Sequence, residues 1–280
     1  METIHTLHDL KKRVANSGRT LRIAAVMPDD EASQAALKRI ADERLATVIN
    51  IVNEQPEAAA QEAVALIRQG KADVLMKGLI GTDQLLRAVL NKETGILPQG
   101  HVLTHLAAVE IPTYHKLLFF SDAAVIPYPT HEQRIEQVRY AADVCHGLGI
   151  DEPRIALTHC AEHGGKQFPF VDGYADIIRM ARDGAFGRCL VDGPMDIKTA
   201  CSLEALKAKH MTSTLEGEAD VLIMPDIEAG NTLYKALTFF VESKAAGMLC
   251  GAQCPVVLPS RGDDAETKYD SILLALASLS

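Results

Sequence analysis

The feature that most limits how this chain can fold is an alternation running almost its whole length. Short β-branched or aliphatic runs are separated by longer stretches of helical spacing, the pattern of an α/β protein. Nine runs read as strands: 21–26, 46–52, 72–77, 116–121, 154–158, 187–191, 219–224, 247–251 and 255–259. Several lack polar alternation, as strands covered on both faces do. Between Thr130 and Gly147 the apolar positions Ile135, Val138, Ala142 and Cys145 keep a helical spacing, and Thr130 with Gln133 reads as a capping box. The last helix follows 255–259 at once, with Asp263 and Glu266 read as its N-terminal box. The IPTYH stretch at 111–115 reads as a boundary.

At 280 residues and 48% hydrophobic composition, the chain can bury large cores and is long enough for two domains. Acids outnumber bases, 37 to 28, for a net charge of −9. That is opposite to the footprint of a nucleic-acid binder, and the absence of tryptophan argues against a base-stacking platform. A polyanionic ligand therefore requires a local cationic pocket. The six cysteines are scattered without a CxxC pair and read as buried free thiols of a cytoplasmic protein. No apolar run approaches the roughly 18–20 residues of a membrane span, and METIHTLHDLKKRV reads as an amphipathic helix rather than a signal peptide.

In parallel sheets ligands sit beyond the carboxyl ends of the strands, where the following helices aim unpaired N–H groups. Three strand-to-helix loops stand out there: Lys77-Gly78-Leu79-Ile80-Gly81-Thr82, Pro225 to Thr232, and Ser260-Arg261-Gly262-Asp263. Each joins glycine to hydroxyl, amide or cationic groups, and together they suggest an anion site. A structural reading stands beside this one, because glycine before Thr82, or before Asn231 and Thr232, is also ordinary N-cap grammar. Arg261 is harder to explain structurally, since a cation at a helix N-terminus opposes the dipole unless an anion is present. Arg87 reads by pattern as a solvated arginine. His159-Cys160-Ala161-Glu162-His163 fits the HxxEH metal pattern, but Gly164-Gly165 breaks any helix that would place both histidines on one face. No GxSxG, Walker or GxGxxG motif is present.

Five ordered blocks carry a resemblance: ADVLMKGLIGTDQLLRAVLNKETGI, LLFFSDAAV, VDGP, PDIEAGNTLYKAL and PVVLPSRGDDAETKYDSI. From about residue 20 onward the chain resembles the phosphate acetyl/butyryltransferase family, most closely its short butyryltransferase branch. The resemblance implies metal-free acyl transfer between coenzyme A and inorganic phosphate. The implied fold is a two-domain α/β parallel-sheet fold similar to isocitrate and isopropylmalate dehydrogenases. The expected division is 1–115 plus 245–280 against 116–244, with the active-site cleft between them. Ser260 and Arg261 match the family's serine and arginine that bind phosphate and acyl phosphate, and Arg87 a second arginine of the site. Lys77, Gly78 and Thr82 are taken as substrate-binding, while Asn231, Thr232, Tyr234 and Lys235 match the block GNTxYK. Three positions depart from the pattern: Thr267 stands at the proposed base, Ile126 at an expected asparagine and Lys198 at an expected aspartate. Glu266 is then the candidate base, with Asp263 read as a cap. A homodimer is implied, with coenzyme A as substrate and no tightly bound cofactor. The rival readings are a coenzyme A-binding homologue without catalysis and an oxidoreductase on the same fold. The first would bind ligand without turnover, and the second needs a carboxylate cluster that the sequence does not assemble.

Overall fold

The computed structural model describes residues 4–260 and 262–280. In chain order its first elements are α1 (Leu7–Asn16), β1 (Leu21–Val26), α2 (Glu31–Asp42), β2 (Ala46–Ile51), α3 (Pro56–Arg68), β3 (Val74–Lys77) and α4 (Thr82–Val89). Next come β4 (Thr104–Glu110), β5 (Leu118–Ser121), α5 (His131–Gly147), β6 (Arg154–Thr158), α6 (Tyr174–Arg182) and β7 (Leu190–Met195). The remainder is α7 (Ile197–Cys201), α8 (Leu203–Ala208), β8 (Val221–Ile223), α9 (Ile227–Phe240), β9 (Lys244–Cys250), β10 (Val256–Val257) and α10 (Ala265–Ala277).

The chain divides into two compact units. The first comprises Thr6–Leu103 and Lys244–Ser280, and its strands run in the order β2-β1-β3-β10-β9. Strands β2, β1, β3 and β10 are parallel, and β9 is antiparallel to β10. Ile23 through Val26 of β1 are fully buried, which explains why LRIAAV has no polar alternation at its centre. Helix α10 is buried along its length from Lys268 to Ala277.

The second unit comprises, among the described residues, 4–5 and Thr104–Ser243, with the order β4-β5-β8-β6-β7, where β4 is antiparallel to β5 and the other pairings are parallel. Strand β4, THLAAVE, was not among the expected strands, because its alanines lack the β-branched density by which the others are read. Its pairing with β5 puts the boundary before Thr104 rather than at 115. Strand β7 occupies 190–195 rather than 187–191, so the VDGP block lies inside a strand. Gly193 there has φ of +148°, and a Cβ would come within 2.5 Å of the Leu157 carbonyl oxygen. The capping box of α5 forms as read: Thr130 Oγ1 accepts from the Gln133 amide, and Gln133 Oε1 accepts from the Thr130 amide. The cysteines are only partly buried, with Cys160 exposed and Cys189 and Cys201 intermediate.

The last helix is capped one residue later than expected. Asp264, not Asp263, is the N-cap, accepting the Thr267 amide at 2.8 Å. Asp263 instead accepts the Ser260 amide at 2.7 Å within the preceding turn. Asp264→Ala is therefore expected to cost about 1 kcal/mol of stability, and Asp263→Ala clearly less. Thermal unfolding of both variants in one buffer checks the order.

Candidate functional site

In the first unit the parallel strands β1, β3 and β10 present their carboxyl ends at one edge, and each leads into a loop and a helix N-terminus. Two of these loops touch through their main chains. The Gly78 amide donates to the Val26 carbonyl at 2.8 Å and the Leu79 amide to that of Met27 at 2.6 Å. A Cβ on Gly78 would meet the Met27 carbonyl oxygen at 2.1 Å, so no other residue fits without moving the backbone. Met27 itself adopts φ of +51°, which is uncommon for a residue with a side chain. Lys77 is buried at the end of β3, with Nζ donating to the Gly78 carbonyl at 3.3 Å. Gly81 is the N-cap of α4, its amide bound by Gln84 Oε1 at 3.0 Å, and Thr82 is the first helical residue. The arginine of this helix, Arg87, has a side chain 73% exposed and paired with Asp83 at 3.0 Å.

The third loop closes on itself. Ser260 donates its amide to Asp263, and its hydroxyl accepts the Gly262 amide at 3.4 Å. Ser260 is exposed, while Arg261 lies outside the described residues. Glu266 is engaged elsewhere: its carboxylate accepts from the Arg39 guanidinium at 2.6 Å, and Arg39 lies over the Tyr269 ring at 3.7 Å. Thr267 is the third residue of α10, with its amide bound to the cap. Between this loop and β1 sits a pair that the sequence did not suggest. Lys268, buried in the first turns of α10, donates to Asp30 at 2.6 Å and contacts the Ser33 hydroxyl at 3.0 Å. Burial by itself would raise the Asp30 pKa. The hydrogen bonds from Lys268 and Ser33 outweigh it and hold the group at about 2, against an ordinary 3.8. A depressed carboxylate pKa means the contribution to stability is complete above the ordinary value and is lost as pH falls toward 2.

In the second unit β5, β8, β6 and β7 likewise end at one edge. Asp122, buried just after β5, is the organising group. Its carboxylate accepts from Thr104 Oγ1 at 2.7 Å and from the amides of Ala124 at 2.7 Å and Val125 at 2.8 Å, and it also binds the His105 and Ile126 amides. Helix α9 begins at Ile227 with Asp226 as N-cap, so Gly230 is not the cap expected before Asn231 but lies inside the helix. A Cβ there would meet the Asp122 carbonyl oxygen at 2.1 Å. Asn231 Nδ2 then donates to the Ala123 carbonyl at 3.0 Å, fastening the GNTxYK block to the DAAV block. Thr232 and Lys235 are exposed, and the Tyr234 ring lies 6.4 Å from that of Phe120.

Arg134 of α5, not singled out by the sequence, is buried, and its guanidinium donates to the carbonyls of Met224 at 3.0 Å and Pro225 at 3.2 Å. Burial pushes its pKa down. The HxxEH segment is not helical: His159 packs edge-on against Phe168 and Phe170, and Glu162 pairs with Lys209. Lys198 is exposed in the short helix α7, and Ile126 is buried.

The sequence matches the family described as phosphate acetyl/butaryl transferase over residues 7–276. A phosphate butyryltransferase from Clostridium acetobutylicum is 42% identical over 226 residues, covering 80% of this chain and 75% of that protein. The phosphate butyryltransferase of Clostridium beijerinckii is 35% identical over 279 residues, 91% of this chain and 92% of the other. The chain belongs to the phosphate acetyl/butaryl transferase family. Among solved structures, a branched-chain phosphotransacylase from Enterococcus faecalis V583 superposes with a TM-score of 0.82 at 30% identity, over 93% of this chain and 99% of that one. At the position where the resemblance leads one to expect a base, this chain has Thr267, in the first turn of α10, with its amide bound to the Asp264 cap.

Alanine normally favours a helix over glycine by nearly 1 kcal/mol. At Gly230 the backbone contact with Asp122 reverses the sign, and Gly230→Ala is expected to destabilise the protein by about 2 kcal/mol or more. A lowered urea midpoint, with Asn231 and Asp122 unchanged, is the measurement.

Proposed function

We propose that the chain catalyses reversible acyl transfer between coenzyme A and inorganic phosphate, with butyryl or a neighbouring short-chain acyl group as substrate. The observation that carries this reading is family membership over nearly the whole chain, joined to 42% identity with a phosphate butyryltransferase. In this scheme Ser260 and Arg261 hold phosphate, Arg87, Lys77, Gly78 and Thr82 complete its surroundings, and Asn231, Thr232, Tyr234 and Lys235 serve the acyl-CoA. The coenzyme A thiolate and phosphate compete for one acyl carbon. Attack by phosphate oxygen forms a tetrahedral intermediate, whose collapse breaks the C–S bond and releases the thiolate. A planar guanidinium at Arg261 binds two phosphate oxygens at once, and helix N-terminal amides stabilise the developing oxyanion. Fixing both substrates in line supplies several kcal/mol.

In the reverse direction the thiol proton goes to Glu266 or to phosphate itself. The Glu266 carboxylate is already engaged by the Arg39 guanidinium, so phosphate is the preferred acceptor in this scheme. The working protein is taken as a cytoplasmic homodimer. Supporting a second copy are Phe239 and Phe240 at the end of α9, each 79% exposed. Among the described residues no helix is long and apolar enough to cross a membrane.

Purified protein is expected to release free coenzyme A from butyryl-CoA only when phosphate is present, and to do so in EDTA. A thiol assay over an acetyl-to-hexanoyl panel, including branched chains, measures it; turnover that ignores phosphate or requires added metal defeats the reading. Lysine offers a point charge without the paired donors of arginine. Arg261→Lys is therefore expected to lose about 10²-fold or more in kcat/KM for phosphate, in line with removal of an oxyanion-stabilising donor, while the melting temperature holds. Steady-state kinetics beside thermal unfolding separate the two.

A further inference from the structure

The segment Met27-Pro28-Asp29-Asp30 after β1 joins the two loops of the first unit that carry the candidate phosphate residues. On one side the Lys77–Thr82 loop docks on it through Gly78 and Leu79, whose amides bind the Val26 and Met27 carbonyls. On the other, Asp30 takes the ammonium of Lys268 from the first turns of α10. The Ser260 turn lies between β10 and that helix. Among the described residues, the hydrogen bonds of Ser260, Gly262 and Asp263 are all made within the turn: the Ser260 amide to Asp263, the Gly262 amide to the Ser260 hydroxyl, and the Asp263 amide to the Ser260 carbonyl. With these bonds directed inward, the place of the turn on the sheet is set from its two ends. The upstream end is β10, only two residues long, in register with Leu75 and Met76 of β3. The downstream end is the start of α10, anchored by Lys268.

The chemistry of that anchor is unusual for a purely structural contact. A cation in the first turns of a helix opposes the helix dipole, and a buried ion pair seldom stabilises more than an apolar pair of equal volume. What such a pair supplies is register: the ammonium has one place to go. Asp30 is tied in turn, since the carboxylate oxygen that takes Lys268 also caps α2 by accepting the Ser33 amide at 2.8 Å. The hydroxyl of fully buried Ser33 holds the ammonium from a second side. The strained Met27 backbone lies within the same four residues, so the segment is fixed on both flanks.

We propose that Asp30 and Lys268 are positioning residues for phosphate: their ion pair sets the Ser260 turn in place relative to the loop of Lys77 and Gly78. The proposal rests on the acyl-transfer reading above. It implies that losing the pair damages phosphate use selectively, because the acyl-CoA residues proposed in the second unit are not attached to this anchor.

The test compares wild type with Asp30→Asn, Lys268→Met and the double variant. Asparagine caps a helix as well as aspartate does, so α2 keeps its cap. The double variant leaves no buried charge unpaired and guards against a single variant that fails to fold. Two readouts are taken: amide hydrogen exchange of residues 258–267, and the separate KM values for phosphate and butyryl-CoA. In the double variant, exchange in that segment is expected to rise tenfold or more. The phosphate KM is expected to rise tenfold or more, with the butyryl-CoA KM within twofold of wild type and the melting temperature close to wild type. Unchanged exchange, a phosphate KM within twofold, or an equal rise in both KM values overturns the proposal. If wild type shows no phosphate-dependent turnover, the transferase reading falls, and the exchange measurement still decides whether the anchor holds the turn.

Discussion

The structure depends on places where main chain meets main chain with no room for a side chain. Gly78 against Met27, and Gly230 against Asp122, each leave 2.1 Å where a Cβ would stand. Both contacts occur beyond the carboxyl ends of strands: the loop after β3 leans on the loop after β1, and the first turn of α9 leans on the loop after β5. Packing of this kind fixes loop positions by backbone contact, which is stiffer than contact between side chains that can change rotamer. The helix N-termini that follow are therefore held in place before any ligand arrives, the condition under which oriented amides serve catalysis.

Around these contacts the chain buries charge in three ways, each with its own consequence. Asp122 is satisfied by amides and a hydroxyl, so it acts as a template on which residues 122–126 fold. Arg134 is satisfied by carbonyls at the end of β8, which secures the approach to α9 at the expense of desolvating a cation. Lys268 and Asp30 satisfy one another and join two helices. None of the three adds much stability over an apolar alternative, but each leaves one arrangement of the loops much better than its neighbours.

Much of the architecture was legible from the runs of aliphatic residues, because strands covered on both faces have a narrow vocabulary. Strand β4 escaped because its alanines are as much at home in a helix. Glycine before Asn231 could be read as a cap because that pairing is common, whereas here Asp226 caps the helix and Gly230 packs on the Asp122 backbone just after β5. Asp263 was chosen over Asp264 as the cap of α10 because two adjacent aspartates offer the same local chemistry; the Ser260 turn takes one and leaves the other to the helix.

The order and spacing of the five blocks determined family, fold class and reaction type, since each block is a continuous segment whose chemistry is written in neighbouring residues. Nothing in the sequence singled out Arg134 or Asp30, while Glu266 looked free to act as a base. Only the tertiary structure buried the first, paired the second with a lysine 238 residues away, and gave the third to Arg39. The physical reason is the same in each case: burial and pairing are set by what another part of the chain brings alongside, and no local pattern encodes that partner.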